Sequence, residues 1–393
     1  MITQNQFNAL ANASNPYAVS IYLPTYRVGN AQEDQIRYKN ALQKAVNKLE
    51  KRYELSESEA RNLVDPARAL TDDLNFWQNQ SDGLAVFIGP DRFEYYTCPI
   101  DFEPMVYVSP EYYLRPVLPL LGETERFHVL ALSRGAVQLY TGTRYSISEV
   151  DTQGLVPVNM EAALMVDAPE NNLSRAGGAE GGRGNASPVY FSRGGDPSPD
   201  VEDLKAYLDR VDAGITDYLC DDKAPLVLGG SEDLIPIYRE ANGYAHLYTE
   251  GHVAGNLEEE SPGMIHEKAW AVVGDYFDRQ AQRDQELFGD NLARREAGNQ
   301  VEEIVPASVN GRVAALWTDR NAYIYGRYHA ANNGVEILTD EDINATELMN
   351  LAAVRAYQAG ARVYNVERED MPDGTTGMCA IYRYTTEEPT TNL

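Results

Sequence analysis

Residues 171–195, NNLSRAGGAEGGRGNASPVYFSRGG, cannot contribute to a packed core, so any fold of this chain has to be built around them. Seven of these 25 residues are glycine, which loses more backbone freedom on folding than any other residue. A helix signal follows at once. Ser198 as cap, Pro199 in the first turn and Asp200 as an acid matched to the helix dipole predict a helix to about Cys220. A glycine-rich excursion inside a domain is more often a functional loop than an idle one, although a flexible linker has the same composition. The stretch also carries Arg175, Arg183 and Arg193 against Glu180 alone. Gly181, Gly182 and Gly184 allow a partner to approach the backbone where a Cβ would clash, and the arginines can grip phosphate.

That positive island sits in a strongly negative chain. The 393 residues hold 33 basic and 60 acidic side chains, a formal charge of −27. A polyanion of this size repels nucleic acid and anionic membrane unless its basic groups are gathered on one face. One such face is legible near the start. Tyr38, Leu42, Val46, Leu49 and Tyr53 recur at spacings of three and four and predict a helix with one buried stripe. Arg37, Lys44, Lys48 and Lys51 fall together on another face, and residues 27–52 hold seven basic against three acidic residues.

The remaining patterns predict an α/β (α+β) protein of three domains. In 1–122, AVSIYLPT, GLAVFIGP, RFEYYTCP and MVYVS read as short strands, with a second helix after Ser56 that is interrupted near Pro66. In 123–222, FHVLALSRGAVQLYTG reads as a strand hairpin, TRYSISEVD as a third strand, and the Gly/Arg loop and its helix follow. In 223–393, APLVLGG leads into a helix, a long helix spans about 262–297, and GRVAALWTD, AYIYGRYH, ARVYNVE and GMCAIYRY are strands around the helix ATELMNLAAVRAYQAG. The three segments carry −4, −9 and −14.

Other motifs favour ordinary roles. The five histidines stand in no metal-ligand spacing, and Gly229-Gly230-Ser231 fits a tight strand-to-helix turn better than a phosphate loop. The acidic runs read as solvated surface. Three distant cysteines exclude a disulfide scaffold and a cysteine zinc cluster, and neither a signal peptide nor an apolar span is present, so a cytoplasmic protein without membrane partners is expected. No metal or cofactor is implied.

The order of these segments resembles the archaeo-eukaryotic class-1 release factor and Pelota superfamily, and its bacterial branch most closely. The residues that carry the resemblance are SIYLPTYRVGNAQEDQIRYKNAL, FHVLALSRGAVQLYTG, PLVLGG and NLAAVRAYQAGARVYNVEREDMP with AIYRY. The resemblance implies an L7Ae-like αβα third domain and binding in the ribosomal A site. In true release factors the second domain presents Gly-Gly-Gln at the peptidyl transferase centre. The matching position here reads Gly181-Gly182-Arg183-Gly184, with Gly177-Gly178-Ala179 as the other candidate, and neither holds the glutamine. Some bacterial relatives are similar to hibernation or rescue factors, often acting beside a translational GTPase. The leading expectation is therefore a ribosome-bound factor that contacts rRNA without releasing peptide, with no catalytic residue assigned. Arg175, Gly181, Gly182, Arg183, Gly184 and Arg193 would face RNA from the loop. From charge alone, Arg27, Arg37, Lys44, Lys48 and Lys51 would do so from the first domain. A peptidyl-tRNA ester hydrolase using the same loop, and an acidic adaptor that binds only proteins, are the competing readings.

Overall fold

The computed structural model describes residues 2–27, 31–121, 125–157, 159–165, 199–340 and 342–384; the expected loop 171–195 and its Ser198 cap lie outside them. The chain divides into two compact units, Met1–Thr124 with Asp278–Leu393, and Glu125–Phe277. The mixed α/β class is as the sequence indicates, with ten α-helices and several sheets among the described residues.

The first unit opens on α1 (Gln4–Ala11), where Thr3 and Gln6 form a reciprocal capping box. An antiparallel sheet follows, ordered β3-β2-β1-β4, from β1 (Ala18–Pro24), β2 (Gly83–Gly89), β3 (Arg92–Cys98) and β4 (Met105–Ser109). Side chains alternate across β1. Val19, Ile21 and Leu23 enter a core with Tyr38, Leu42, Val46 and Leu49 of α2 (Ala31–Tyr53), the stripe read from the sequence. Ser20 and Tyr22 point to the other face, where Ser20 accepts the Tyr113 N–H at 2.9 Å and Tyr22 donates to the Tyr113 carbonyl. Helix α3 (Glu57–Arg68) starts at the Ser56 capping box. The break expected at Pro66 falls later. Pro66 sits inside α3 near its end, where it forfeits one intrahelical hydrogen bond, and the chain turns at 69–73 before α4 (Leu74–Gln78), capped by Asp73.

The second unit is a five-stranded sheet ordered β7-β6-β5-β8-β9. The hairpin β5 (Phe127–Leu132) and β6 (Val137–Thr143) continues into β7 (Ser146–Val150), as the alternation predicts. After α5 (Met160–Met165) and α6 (Pro199–Tyr218), β8 (Leu226–Gly230) pairs in parallel with β5, and α7 (Leu234–Ala241) and β9 (Val253–Ala254) follow. Strand β8, read from the sequence as the start of a separate segment at 223, thus lies beside the hairpin in one sheet, because a helical crossover returns the chain to a parallel partner that no local pattern names. Leu130, Leu132, Leu226 and Leu228 face α6 and α7, while Phe127, Val129 and Val227 face Ile265, Ala269 and Val273 of α8 (Pro262–Ala293). At Gly229 the Leu257 side chain packs close to the strand: a Cβ there would stand 2.3 Å from Leu257 Cδ1, which would have to move.

His128 is buried on β5 between Thr141 and Asp222, with Nδ1 3.0 Å from Thr141 Oγ1 and Nε2 3.1 Å from Asp222 Oδ2. Burial lowers its pKa despite the carboxylate. The neutral imidazole satisfies both contacts by donating to Asp222 and accepting from Thr141.

The chain then re-enters the first unit with β10 (Ala297–Gly298), α9 (Val301–Val309), β11 (Val313–Asp319), β12 (Tyr325–His329), β13 (Gly334–Ile337), β14 (Thr346–Glu347), α10 (Leu348–Gln358), β15 (Arg362–Val366) and β16 (Met378–Tyr382). These form a sheet ordered β10-β16-β11-β15 and a smaller one ordered β13-β12-β14. A buried polar clasp ties this part to the N-terminal sheet. Asn350 of α10 accepts the N–H groups of Leu114 and Arg115 at 2.7 and 3.0 Å and donates to the Tyr112 carbonyl at 3.1 Å. Arg115, 1% exposed, donates to the Tyr113 hydroxyl and to the carbonyls of Asp319 and Ala322. Glu347 is fully buried and caps α10 through the N–H groups of Met349 and Asn350. Burial pushes its carboxyl above the ordinary value and Arg115 pulls it back.

Asn350→Ala should lower the stability of the unit holding it by about 2–4 kcal/mol, since two buried N–H groups lose their acceptor. Urea unfolding followed by tryptophan fluorescence reads this, and an unchanged midpoint contradicts it. For His128 the unfolded chain binds the proton more tightly than the folded one, so its neutral form adds stability above the unfolded value of 6.5 that is lost as pH falls from there through the lowered folded value. The urea midpoint of the wild type should therefore drop more steeply with acidification over that range than that of His128→Gln; equal slopes contradict this.

Candidate nucleic-acid interface

Helix α2 presents its cations opposite its core stripe. At 3.6 residues per turn, Arg37, Lys44, Lys48 and Lys51 fall within an arc of about 60°, and Lys44 and Lys51 stand about 10 Å apart along the axis. The two arginines of the expected site are engaged by acids. Arg27, which precedes the helix, makes a two-pronged pair with Asp82, Nε to Oδ1 at 2.7 Å and Nη2 to Oδ2 at 2.6 Å. That pairing lowers the Asp82 pKa and raises that of Arg27. Arg37 donates to Asp34 at 2.8 Å, to Glu33 at 3.0 Å and to the Pro24 carbonyl at 2.8 Å. Asp34 is buried and also accepts the Tyr26 N–H at 3.1 Å, so this arginine fixes the entry of α2 against the end of β1. Burial nevertheless pushes the Asp34 carboxyl upward.

The lysines differ. All three are exposed, and among the described residues no carboxylate lies within 4 Å of Lys44, Lys48 or Lys51. Lys48 donates to the Val106 carbonyl at 2.8 Å. Partial burial, then the neighbouring Arg52 and Lys44, lower its pKa, with Asp340 acting the other way. A polyphosphate laid along the face would relieve that mutual repulsion. Lys39 is near Asp72 at 3.5 Å, and Arg52 donates to the carbonyls of Asp342 and Ala345 at 2.9 and 2.6 Å, which makes it an anchor for that loop.

The structure therefore brings Lys44, Lys48 and Lys51 together as one row with no carboxylate within 4 Å among the described residues and engages Arg27 and Arg37 in ion pairs within the chain. Arg175, Gly181, Gly182, Arg183, Gly184 and Arg193 lie outside the described residues. Two further cations, Arg327 and Arg355, border one hollow with Glu111. No sequence signal marks them, because they stand on different elements and share no periodicity. Among the described residues no group of three or more His, Cys, Asp or Glu side chains gathers to hold a metal, and no helix is long and apolar enough to cross a membrane.

Comparison with curated proteins returns no significant match. Among solved structures the chain is similar to an archaeal translation termination factor, aRF1, at 16% identity over 98% of this chain and 99% of that one, with a TM-score of 0.23. It is similar to archaeal Pelota in a ribosome-bound model with ABCE1 at 11% identity over 78% of each chain and a TM-score of 0.36. It is also similar to Dom34 of S. cerevisiae at 9% identity over 78% and 81%, with a TM-score of 0.33. At these TM-scores the solved structures carry no argument. The family model of bacterial archaeo-eukaryotic release factor family 3 matches residues 126–312, from the first strand of the second unit through α9. Residues 126–312 thus match a family of the bacterial branch of the archaeo-eukaryotic release factor superfamily, the branch the sequence resembles.

Proposed function

We propose that the protein binds ribosomes at the A site as a hibernation or rescue factor and does not release peptide. The observation that carries this reading is the lysine row of α2, exposed and free of carboxylate partners in a chain of charge −27. Arg27 and Arg37 nearby are instead held by acids. Three lysines with no carboxylate within 4 Å among the described residues, spaced along one helix face, suit a phosphate backbone, where each contact releases condensed counterions. The family match supports translation as the setting. In this reading Arg175, Arg183 and Arg193 add a second cationic contact from the glycine-rich segment, with Gly181, Gly182 and Gly184 allowing close approach. Arg27 and Arg37 touch RNA only at its edge, since their guanidinium groups are already committed to Asp82, Glu33 and Asp34. The absence of glutamine after Gly181-Gly182 supports binding without hydrolysis. A translational GTPase is the accompanying partner in this proposal.

Few phosphate contacts mean modest affinity with a steep salt response. Co-sedimentation with 70S particles should show binding at low salt that falls with a logarithmic slope of about −0.9 per phosphate contact. Lys44→Glu, Lys48→Glu and Lys51→Glu combined should weaken it by about tenfold or more, because three attractions become repulsions. No association at low salt, or an unchanged affinity in the triple variant, removes the reading. Charge reversal at Arg175, Arg183 and Arg193 should separately cost most of the remaining binding, and unaltered sedimentation would strip the loop of this role.

A further inference from the structure

A cavity of about 530 Å³ opens in the unit Met1–Thr124 with Asp278–Leu393, and its wall includes Glu111, Arg327, Tyr328, Ile343, Leu351 and Arg355. That volume lies within the range that holds small organic ligands. Arg327 comes from β12 and Arg355 from α10, two elements that pack together through Gly326, where a Cβ would stand 2.6 Å from Leu348 Cδ1. Among the described residues the exposed Arg327 guanidinium has no hydrogen-bond or ion-pair partner. Arg355 donates only to amide oxygens, Gln358 Oε1 at 3.0 Å and Asn12 Oδ1 at 3.5 Å. Among the described residues neither arginine has a carboxylate within 4 Å, although Glu111 on the same wall attracts Arg355 at longer range; two guanidinium groups lining one hollow of a strongly acidic chain are suited to a dianion.

The rest of the wall is not that of a bare anion site. Tyr328 is held by its hydroxyl, which donates to Asn333 Oδ1 at 2.7 Å, so its ring has a fixed position. Ile343 is 47% exposed beside it, and Leu351 closes the floor. A flat ring laid against Tyr328 and Ile343 would cover apolar surface that is now wet. Glu111, half-buried, is the one carboxyl on the wall; it repels a second anion but hydrogen-bonds well to the edge of a base. The loop carrying Ile343 is held in place by Arg52 through the Asp342 and Ala345 carbonyls, so this wall is preformed.

We propose that this cavity binds a nucleoside monophosphate group, its phosphate gripped by Arg327 and Arg355 and its base resting on Tyr328 and Ile343. The group is either a free nucleotide or the phosphorylated end of an RNA strand. The site is independent of ribosome binding by α2, and the test uses the purified chain alone, so failure of one proposal leaves the other standing.

Isothermal titration of the full chain with AMP, GMP, adenosine, inorganic phosphate and a 5′-phosphorylated RNA trinucleotide checks it. Saturable binding of a nucleotide or of the phosphorylated trinucleotide is expected. Arg327→Ala, at an exposed and unpartnered position, should weaken it by about tenfold, the cost of one charge-assisted contact. Tyr328→Ser should weaken nucleotide binding while leaving the urea midpoint near that of the wild type. Binding of free AMP or GMP identifies a small-molecule ligand, and binding of the trinucleotide alone identifies an RNA end. Three results overturn the proposal: no saturable binding at millimolar concentration, equal affinity in Arg327→Ala, or inorganic phosphate binding as tightly as the nucleotides.

Discussion

Asn350 holds two distant stretches of chain in one body. Its side chain takes both N–H groups of the Leu114–Arg115 turn and returns a donor to Tyr112, and none of these backbone groups has water as an alternative partner. Around it Arg115 uses its guanidinium on a tyrosine hydroxyl and two carbonyls, and stacks within 5.6 and 5.7 Å of the Tyr113 and Tyr323 rings. Glu347 supplies the counter-charge while capping the same helix. Such a network stabilises only when every member is satisfied, because the same low dielectric that strengthens each bond makes an orphaned group costly. The clasp explains how a sheet from the first quarter of the chain and a sheet from the last form a single unit with the second unit inserted between them in sequence.

That unit then serves as a platform for charge. Arg27 and Arg37 are consumed locally, one by Asp82 and the other by the Asp34 and Glu33 carboxylates at the start of α2. The Arg27–Asp82 pair is solvent-exposed and adds little to stability, whereas Asp34 is buried and its pair with Arg37 secures the start of α2; both cancel positive charges that composition alone had counted toward RNA. The lysines farther along α2 keep theirs. A helix packed on a sheet through Leu42, Val46 and Leu49 cannot rotate its opposite face away, so the row is presented rigidly.

The elements with strong local periodicity were legible in advance. The stripe of α2, the alternation of β1 and the hairpin β5–β6 each follow from spacing, because one buried face imposes a period on the residues that build it. What was not legible depends on partners far along the chain. Nothing near Asn350, an isolated polar residue in the apolar helix sequence LMNLAAV, announces three hydrogen bonds to residues 112–115. Asp82 gives no local sign that it will neutralise Arg27, and the parallel pairing of β5 with β8 depends on a crossover rather than a turn. The basic face of α2 is visible in the sequence as a pattern of charge, yet only the structure separates acid-paired Arg37 from the lysines that have no carboxylate within 4 Å among the described residues.

A cryo-EM map of 70S ribosomes mixed with the full-length protein at low salt would weigh the whole account. It should show α2 lying along an rRNA backbone, with Lys44, Lys48 and Lys51 turned toward consecutive phosphates and the Arg27–Asp82 pair intact at the edge of the contact. A bound protein whose α2 lysines face solvent, with its contacts made to ribosomal proteins alone, would contradict it.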